Sequence, residues 1–437
     1  MGDSANGLGE PREPPLAPFL TIWTGQAFSL LGSHLVQFAL VWWLTKETGS
    51  ATVLAVATMA AFVPGIIVGP FAGALVDRWN RRVVMIAADG IIALATLFLA
   101  ALFALGIVQV WHVYAAIVVR ATAGSFHWPA MQASTTLIVP ERHLSRVAGL
   151  NQTLWGLCSI IAPPLGALLL SLLPTQGVLA IDVGTALVAI APLLFLSVPQ
   201  PARASAAGAA RPSVLADVAE GLRLVWAWPG LMLVITGGAI IHLLLIPASA
   251  LTPLIVTNHF GGGAAEFALL DASWGVGMVG GGLILGVWGG FRRRIVTALS
   301  AMALMGVGNA GVGLAPAQAI QLAVAGMFLF GLTLPMLNGS LTAILQATVP
   351  PATQGRVLTL LNSLSSLMIP VGLAAAGPVA DALSPQFWYV AGGLSTTAMA
   401  VAGFFVPALM RLEEGRKGSD RPGTAVESAG RGNEYYR

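Results

Sequence analysis

Charged residues and cysteine are scarce in this chain. Of its 437 residues, 9% are charged and 56% are hydrophobic, and the mean hydropathy is +0.82. So few charges cannot cover the surface of a soluble domain, and the composition therefore indicates an integral membrane protein. The single cysteine, Cys158, excludes an internal disulfide framework and a zinc site built from cysteine ligands.

Long apolar runs recur along nearly the whole chain. A membrane-spanning helix needs about 20 mostly apolar residues, whereas strands of a membrane barrel would alternate in polarity over about ten residues. The runs therefore predict an all-α integral membrane protein with twelve transmembrane helices in two pseudo-symmetric six-helix bundles. The predicted spans are 17–44, 51–75, 83–105, 112–138, 147–172, 177–198, 231–256, 267–288, 295–314, 317–348, 357–383 and 388–411.

Positive charge is distributed unevenly between the two sides of this topology. Of the 21 Lys and Arg residues, all fall on one side except Lys46, on the other side, and Arg120, within a span. Because cytoplasmic loops carry an excess of Lys and Arg, both termini are predicted to be cytoplasmic. This asymmetry accounts for the net charge of +3 without a nucleic acid as partner.

The sequence divides into two related halves. VPERHLSR, beginning at 139, and VPPATQGR, beginning at 349, match in register, which indicates a repeat of parallel halves. Between the halves lies a segment of small residues and prolines, followed by the apolar spacing of an amphipathic helix on the membrane surface. The predicted organisation is a cytoplasmic tail over 1–16, a bundle over 17–199, a cytoplasmic linker over 200–230, a bundle over 231–412 and a cytoplasmic tail over 413–437.

One stretch, GALVDRWNRR at 73–82, holds an acid and three arginines between two apolar runs. It resembles the motif G-x-L-x-D-R-x-G-R-R/K of the major facilitator superfamily, with Asn80 in place of the usual second glycine. With RATAGSFHWPAMQA from Arg120, the stretch is similar to the branch of drug, macrolide and siderophore exporters. The residues that fill functional positions of the motif are Gly73, Asp77, Arg78, Arg81 and Arg82.

The resemblance implies two halves that rock around a central site. Asp77 is then expected to close the cytoplasmic side by binding a helix start near Val357, where the helix dipole favours an anion. The arginines of the stretch are expected to hold Asp77 and to pair with Asp89. The alternative is that these arginines only enforce the topology.

Ionisable residues inside spans are costly, at about 2.5–3.5 kcal/mol each near the bilayer centre, and normally face a cavity or a partner. Arg120 needs an acid, several carbonyls or an anionic substrate group, or it is a structural tether between helices. Asp182 is a candidate for the group that carries a proton, and its alternative is an acid exposed to water at a helix start. His34 and Asp271 are further candidates for proton coupling.

Helices 1, 4, 7 and 10 surround the cavity in the family architecture. The resemblance therefore places candidate cavity residues on these helices, and their mixture of apolar surface with isolated polar groups suits an amphipathic organic molecule. For each of them, ordinary helix packing is the alternative. The candidates are Gln37, Trp42, Arg120, His242, Met336 and Asn338.

The run GVGMVG, 275–280, fits a dinucleotide-binding pattern literally, but no strand precedes it and it lies inside an apolar span. Its glycines instead indicate close helix packing. The sequence contains no Walker-type loop, so an ion gradient or the substrate's own gradient is expected to supply the energy. The family favours proton antiport, while sodium antiport and uniport stay open.

The predicted protein is a secondary transporter of the bacterial inner membrane, not an enzyme. It is predicted to export hydrophobic or amphipathic small molecules by alternating access, with protons as the coupling ion and the lipid bilayer around it. No cofactor, metal ion or nucleic acid is expected, and a monomer is expected to suffice. The alternatives are a siderophore or lysolipid exporter on the same fold and a non-transporting membrane sensor.

Overall fold

The computed structural model of this chain describes residues 16–196, 200, 228–349, 354, 357, 361 and 363–414. Every regular element within these ranges is a helix, and twelve long helices occupy the predicted positions. They are α1 Ala17–Thr48, α2 Ala51–Val76, α3 Arg81–Ala104, α4 Val110–Ile138, α5 Glu141–Leu172, α6 Thr175–Phe195, α7 Pro229–Ala250, α8 Ala264–Trp288, α9 Arg294–Leu314, α10 Ile320–Thr348, α11 Met368–Ala382 and α12 Pro385–Phe404.

Two predicted spans are each interrupted by a proline. The seventh was expected to run unbroken over 231–256, but α7 ends at Ala250 and a separate short helix, Thr252–Asn258, follows with Pro253 in its first turn. The twelfth was expected to reach 411, but α12 ends at Phe404 and a four-residue helix begins at Pro407. Each of these prolines lies in the first turn of the helix that follows the break, where its missing N–H has no intrahelical partner to lose. Proline alone does not end a helix here, because Pro64 and Pro70 lie inside α2.

The chain is a multi-pass membrane protein. Within the described ranges, ten helices are long and apolar enough to cross a membrane, and the apolar stretch that contains α11 begins at Ser363. The other two long helices, α4 and α12, have 29 and 20 residues, and polar residues lower their hydropathy. Large apolar side chains such as Phe98 and Val287 are exposed, as expected for a surface in contact with lipid.

Helices α1–α6 pack mainly on one another, as do α7–α12, and the two groups meet where α2 packs on α11 and α5 packs on α8. The predicted linker over 200–230 lies almost entirely outside the described residues, including its amphipathic helix. The domain boundaries therefore remain predictions.

The two groups of helices are joined mainly at one end. We call the end that holds the turn between α2 and α3 the basic end, and the opposite end the far end. At the far end, one large hydrophobic cluster combines residues of both groups, and the rings of Phe38 and Phe267 stack with centroids 4.9 Å apart. At the basic end, each described cluster draws its residues from a single group.

Glycine allows the closest contact between α5 and α8. A Cβ on Gly275 would lie 2.9 Å from the backbone carbonyl carbon of Ser159, closer than such atoms normally approach. Within the second group, a Cβ on Gly281 would overlap the carbonyl oxygen of Leu332, whereas at Gly282 and Gly286 the space is open. The glycine-rich run thus supports close packing at some of its positions.

Candidate functional site

The turn between α2 and α3 is shaped by Asn80, which is the N-cap of α3. Its side-chain oxygen accepts hydrogen bonds from the backbone N–H groups of Arg82 at 3.1 Å and Val83 at 3.3 Å. Asparagine is among the best N-cap residues because its oxygen satisfies N–H groups that lack partners in the first turn. Asn80 therefore gives α3 a defined start in place of the glycine of the motif.

Arg81 and Arg82 bind backbone carbonyls of neighbouring helices. The Arg81 guanidinium donates to the carbonyl oxygen of Ala133 in α4 at 2.6 Å, and its Nη2 lies 3.7 Å from Asp77 Oδ1. The Arg82 guanidinium donates to the carbonyl oxygens of Leu193 and Leu194, the latter at 2.6 Å. Leu193 and Leu194 lie in the last turn of α6, where backbone carbonyls lack intrahelical partners and a cation is favourable.

Asp77 itself is exposed, with 74% of its side-chain surface accessible. Arg78 is also exposed, and a Cβ on Gly73 would meet open space. The predicted contact of Asp77 with a helix start near Val357 involves residues 355, 356 and 358–360, which the structure does not describe. The latch at this end therefore stays a prediction.

A buried ion pair links α4 to α6. Arg120 Nη1 lies 2.6 Å from Asp182 Oδ2, and only 1% of the Asp182 side chain is exposed. Thr96 of α3 accepts a hydrogen bond from Arg120 and donates to Asp182 Oδ2 at 3.1 Å. Ser33 of α1 accepts from Arg120 Nη2 at 3.1 Å and lies 3.4 Å from Asp182 Oδ1. We call these four side chains the inner layer.

Asp89 belongs to a second polar layer nearer the basic end. Its Oδ2 accepts a hydrogen bond from Gln26 Nε2 at 2.9 Å, and its Oδ1 lies 3.4 Å from His127 Nε2. The pairing of Asp89 with the arginines of the turn, expected from sequence, is therefore wrong. Arg81 and Arg82 bind backbone carbonyls of α4 and α6 instead, while Asp89 is buried and its partners lie on α1 and α4. We call Gln26, Asp89 and His127 the outer layer.

The two layers share three helices, α1, α3 and α4, and the inner layer adds Asp182 of α6. Each pair of residues on α1, α3 and α4 is separated by seven positions, which is two helical turns, and so lies on one helix face. The rise over seven residues is about 10 Å. The pairs are Gln26 with Ser33, Asp89 with Thr96, and His127 with Arg120.

Gly32 allows α1 to approach the inner layer. A Cβ at this position would overlap Thr185 Oγ1 and would lie 2.9 Å from Asp182 Oδ1. Thr185 in turn donates to the backbone carbonyl of Asp182 at 2.9 Å. Any larger residue at this point of α1 would push α6, and with it the carboxylate, away from Arg120.

The remaining candidates of the first six helices face α5 or the far end. The His34 ring meets Trp155 of α5 edge to face, with centroids 5.4 Å apart. Gln37 is exposed, and Trp42 stacks on Phe267 of α8 at 6.1 Å. Among the described residues, none of the three makes a hydrogen bond or ion pair with the inner layer.

Asp271 lies on α8, in the electrostatic neighbourhood of Tyr389. Tyr389 and Thr252 share a hydrogen bond of 2.6 Å. Among the described residues, Asp271 makes no hydrogen bond or ion pair. Asp271 is far in sequence from the Arg120–Asp182 pair and makes no contact with it among these hydrogen bonds and ion pairs. The described partners of that pair lie on α1, α3, α4 and α6.

A cavity of about 610 Å³ lies inside the second group of helices. His242 and Asn338, both expected near a substrate, line it together. Met336, the third candidate there, packs in a hydrophobic cluster of α7, α9, α10 and α12 that shares residues with the cavity wall. The cavity is also lined by Ser365, which the sequence analysis missed because a single serine in an apolar run gives no distinguishing signal.

Within the ranges that the structure describes, no group of three or more His, Cys, Asp or Glu side chains could hold a metal ion. The inner and outer layers are ion pairs and hydrogen bonds between helices. Such an arrangement can change its charge by gaining or losing a proton, and it can rearrange when helices move.

Comparison with known proteins identifies the family of this chain. Residues 22–249 match the family description "Major Facilitator Superfamily". Macrolide efflux protein A of Streptococcus pyogenes is 32% identical over 395 residues, which cover 90% of this chain and 97% of that protein. The chain belongs to the major facilitator superfamily.

Other similarities place it within the superfamily. The multidrug efflux pump Tap of Mycolicibacterium fortuitum is 27% identical, covering 91% of this chain and 97% of that protein. A mutant of the nucleoside transporter NupG superposes with a TM-score of 0.69 at 14% identity, covering 89% of this chain and 98% of that one. A D-xylose-proton symporter superposes with a TM-score of 0.66, at 14% identity, over 88% and 96% of the two chains. The predicted resemblance to the drug and macrolide efflux branch of the superfamily is confirmed, and members of this family are transporters rather than enzymes.

Proposed function

We propose that this major facilitator protein exports hydrophobic or amphipathic small molecules from a bacterial cytoplasm in exchange for protons. The observation that carries the proposal is the buried pair of Arg120 and Asp182, held between four helices at 2.6 Å. The similarity to macrolide and multidrug efflux proteins supports the direction and the class of cargo.

The chemistry of the inner layer supports proton coupling. A proton and the Arg120 guanidinium compete for the same carboxylate oxygen of Asp182. When Asp182 takes up a proton, the ion pair is lost, and Arg120 keeps only Thr96 and Ser33 as neutral partners. Since a guanidinium stays charged at any physiological pH, the released cation must find another partner, and this need links protonation to movement of α4 against α6.

The orientation in the membrane is part of the proposal. The basic end carries the arginines of the turn and of residues 292–294, and loops rich in arginine are retained in the cytoplasm. With the bundles joined at the far end, this geometry corresponds to a transporter open towards the cytoplasm. Asp77 would close that side in the opposite state, and one chain in the inner membrane would suffice for the cycle.

Transport into everted membrane vesicles tests the proposal. In such vesicles export appears as uptake, which we expect to require an imposed pH gradient for a set of macrolides, cationic dyes, siderophores and lysolipids. Asp182→Asn is expected to abolish the effect of the gradient, whereas Glu47→Gln, an exposed acid at the far end of α1 that makes no hydrogen bond or ion pair among the described residues, is the matched control and keeps it. Uptake of equal rate with and without a gradient would replace antiport by facilitated diffusion.

If no compound moves, although the protein is present in the membrane at its normal level, export of these cargoes is wrong and a non-transporting sensor gains support. The same set of compounds also distinguishes a drug exporter from a siderophore exporter or a lysolipid exporter. Uptake restricted to siderophores or to lysolipids would keep the fold and the coupling while changing the substrate.

A further inference from the structure

We infer that the cavity inside the second group of helices is a binding site for a neutral, largely apolar ligand that carries hydrogen-bonding groups. The cavity measures about 610 Å³, which is within the usual range for small-molecule sites. It is lined by α7, α9, α10, α12 and the helical residues that precede α11. It therefore lies within one bundle, whereas the central site of the family lies between the two.

The charge of the lining selects the ligand. Among the described residues that line the cavity there is no Asp, Glu, Lys or Arg, and His242 is the titratable group. An ion that entered would lose its hydration without gaining a countercharge. Neutral ligands do not incur this cost, so the lining favours them over cations and anions.

Five polar side chains line the cavity and give it hydrogen-bonding capacity: Thr236, His242, Asn338, Thr342 and Ser365. Ser365 is 3% exposed, lines the cavity, and its Oγ has no hydrogen-bond partner among the described residues. A buried hydroxyl without a partner is uncommon in folded proteins and points to a ligand or solvent group. A ligand with a hydroxyl, carbonyl or amide would satisfy it.

His242 presents an acceptor to the same space. Its Nδ1 lies 2.9 Å from the carbonyl oxygen of Gly238, one turn earlier in α7. A carbonyl can only accept, so Nδ1 carries the hydrogen and Nε2 of the neutral ring is left as an acceptor. With the amide of Asn338, the cavity can both donate to and accept from one ligand.

The depth of the cavity and its flexible methionine side chains suit ligands of more than one shape. Asn338 is exposed and Ser365 is buried, yet both line the cavity, so it runs from the protein surface to the interior of the bundle. Met302, Met305 and Met399 are among the apolar residues of its wall. Methionine has several rotatable bonds and a polarisable sulfur, and it adapts to ligands of different outline.

The meaning of this site for transport depends on the proposed function, but its existence does not. A test by cysteine labelling therefore needs no gradient and no transported compound. Cys158 is first replaced in a Cys158→Ser background, and Ser365→Cys is added as a nearly isosteric change. The purified full chain in lipid nanodiscs is then treated with neutral benzyl methanethiosulfonate or with the cationic trimethylammonium-ethyl reagent.

For each reagent, the rate constant for modification of Ser365→Cys is divided by the rate constant for its reaction with free cysteine. We expect this normalised rate to be at least tenfold higher for the neutral reagent than for the cationic one. Nile red, a neutral dye, should slow this modification. The matched control is Ser363→Cys, an exposed position two residues away, at which Nile red should have no effect. Asn338→Cys, at the mouth of the cavity, repeats the measurement if Ser365→Cys fails to fold.

Equal rates for the two reagents, or no protection by Nile red at Ser365→Cys and Asn338→Cys, would overturn the inference. Failure of both cysteines to react while Ser363→Cys reacts would also overturn it, because the cavity would then be closed to ligands. A chain that labels as expected but transports nothing would contradict the proposed function alone. A chain that transports but fails the labelling test would contradict the inference alone.

Discussion

Arg120 and Asp182 are 62 positions apart in the sequence, yet their side chains meet at 2.6 Å inside the first group of helices. The pair fixes α4 relative to α6, and Thr96 and Ser33 extend it to α3 and α1. One charged contact thus links four helices, and its loss would weaken the packing of all four.

The two charges are expected to depend on each other for stability. Removing one member of a buried ion pair typically costs about 3–5 kcal/mol, because the remaining charge loses its partner, whereas apolar replacement of both is often neutral. Arg120→Met and Asp182→Leu should therefore each lower the thermal unfolding temperature in nanodiscs, and the double variant should recover most of the loss. A double variant as unstable as the sum of the singles would show that the two residues act independently.

The outer layer should contribute stability through Asp89. Hydrogen bonds to a charged group contribute about 1.5–3 kcal/mol, and Asp89→Ala removes the acceptor of the Gln26 amide and the partner of His127. Asp77→Ala is the matched control, because that acid is exposed and such changes stay within about 0.5 kcal/mol. Thermal unfolding should separate the two variants clearly, and equal melting temperatures would argue against a structural contribution from this layer.

Gly32 should tolerate no side chain. Gly32→Ala places a Cβ against Thr185 Oγ1 and Asp182 Oδ1, and overpacking of this kind usually costs about 1–3 kcal/mol. Gly184→Ala is the matched control on the facing helix, since a Cβ there meets open space. The measurement is thermal unfolding of both variants. If Gly32→Ala unfolds at the same temperature as the wild type, α1 and α6 do not pack as closely as described.

Asn80 should be replaceable by the residue of the family motif at little cost. An N-cap asparagine changed to alanine loses about 1 kcal/mol, whereas glycine at the same position loses only a few tenths. Unfolding measurements on Asn80→Ala and Asn80→Gly should therefore rank wild type first, the glycine variant close behind and the alanine variant last. An alanine variant as stable as the wild type would mean that the cap contributes nothing to α3.

Much of the fold could be predicted because lipid imposes a simple rule on sequence. Runs of about 20 apolar residues identify the helices, and all twelve predicted positions are occupied. The breaks before Pro253 and Pro407 were missed, and proline alone could not identify them because Pro64 and Pro70 lie inside the continuous helix α2. Hydropathy is insensitive to such breaks because the residues around each proline remain apolar.

The site was predicted only in parts. Arg120 and Asp182 stand out as charges in apolar spans, but spacing along the chain does not tell which helices meet, so their pairing could not be derived. The sequence places Gln26 and Ser33 seven residues apart on one helix. That spacing alone does not show that they belong to two polar layers, because the layers also need the matching residues of α3 and α4. Asp89 was assigned to the arginines nearest in sequence, whereas its partners lie on other helices.

The contacts of the α2–α3 turn also reach the point at which the chain leaves the first bundle. Arg82 holds the last carbonyls of α6, and the backbone N–H of Arg81 donates to the side-chain oxygen of Gln200 at 3.2 Å. From Gln200 the polypeptide continues to α7. A displacement of the turn would therefore also act on Gln200, and the motif would anchor the start of the connection between the bundles as well as supply a surface for side-chain contacts.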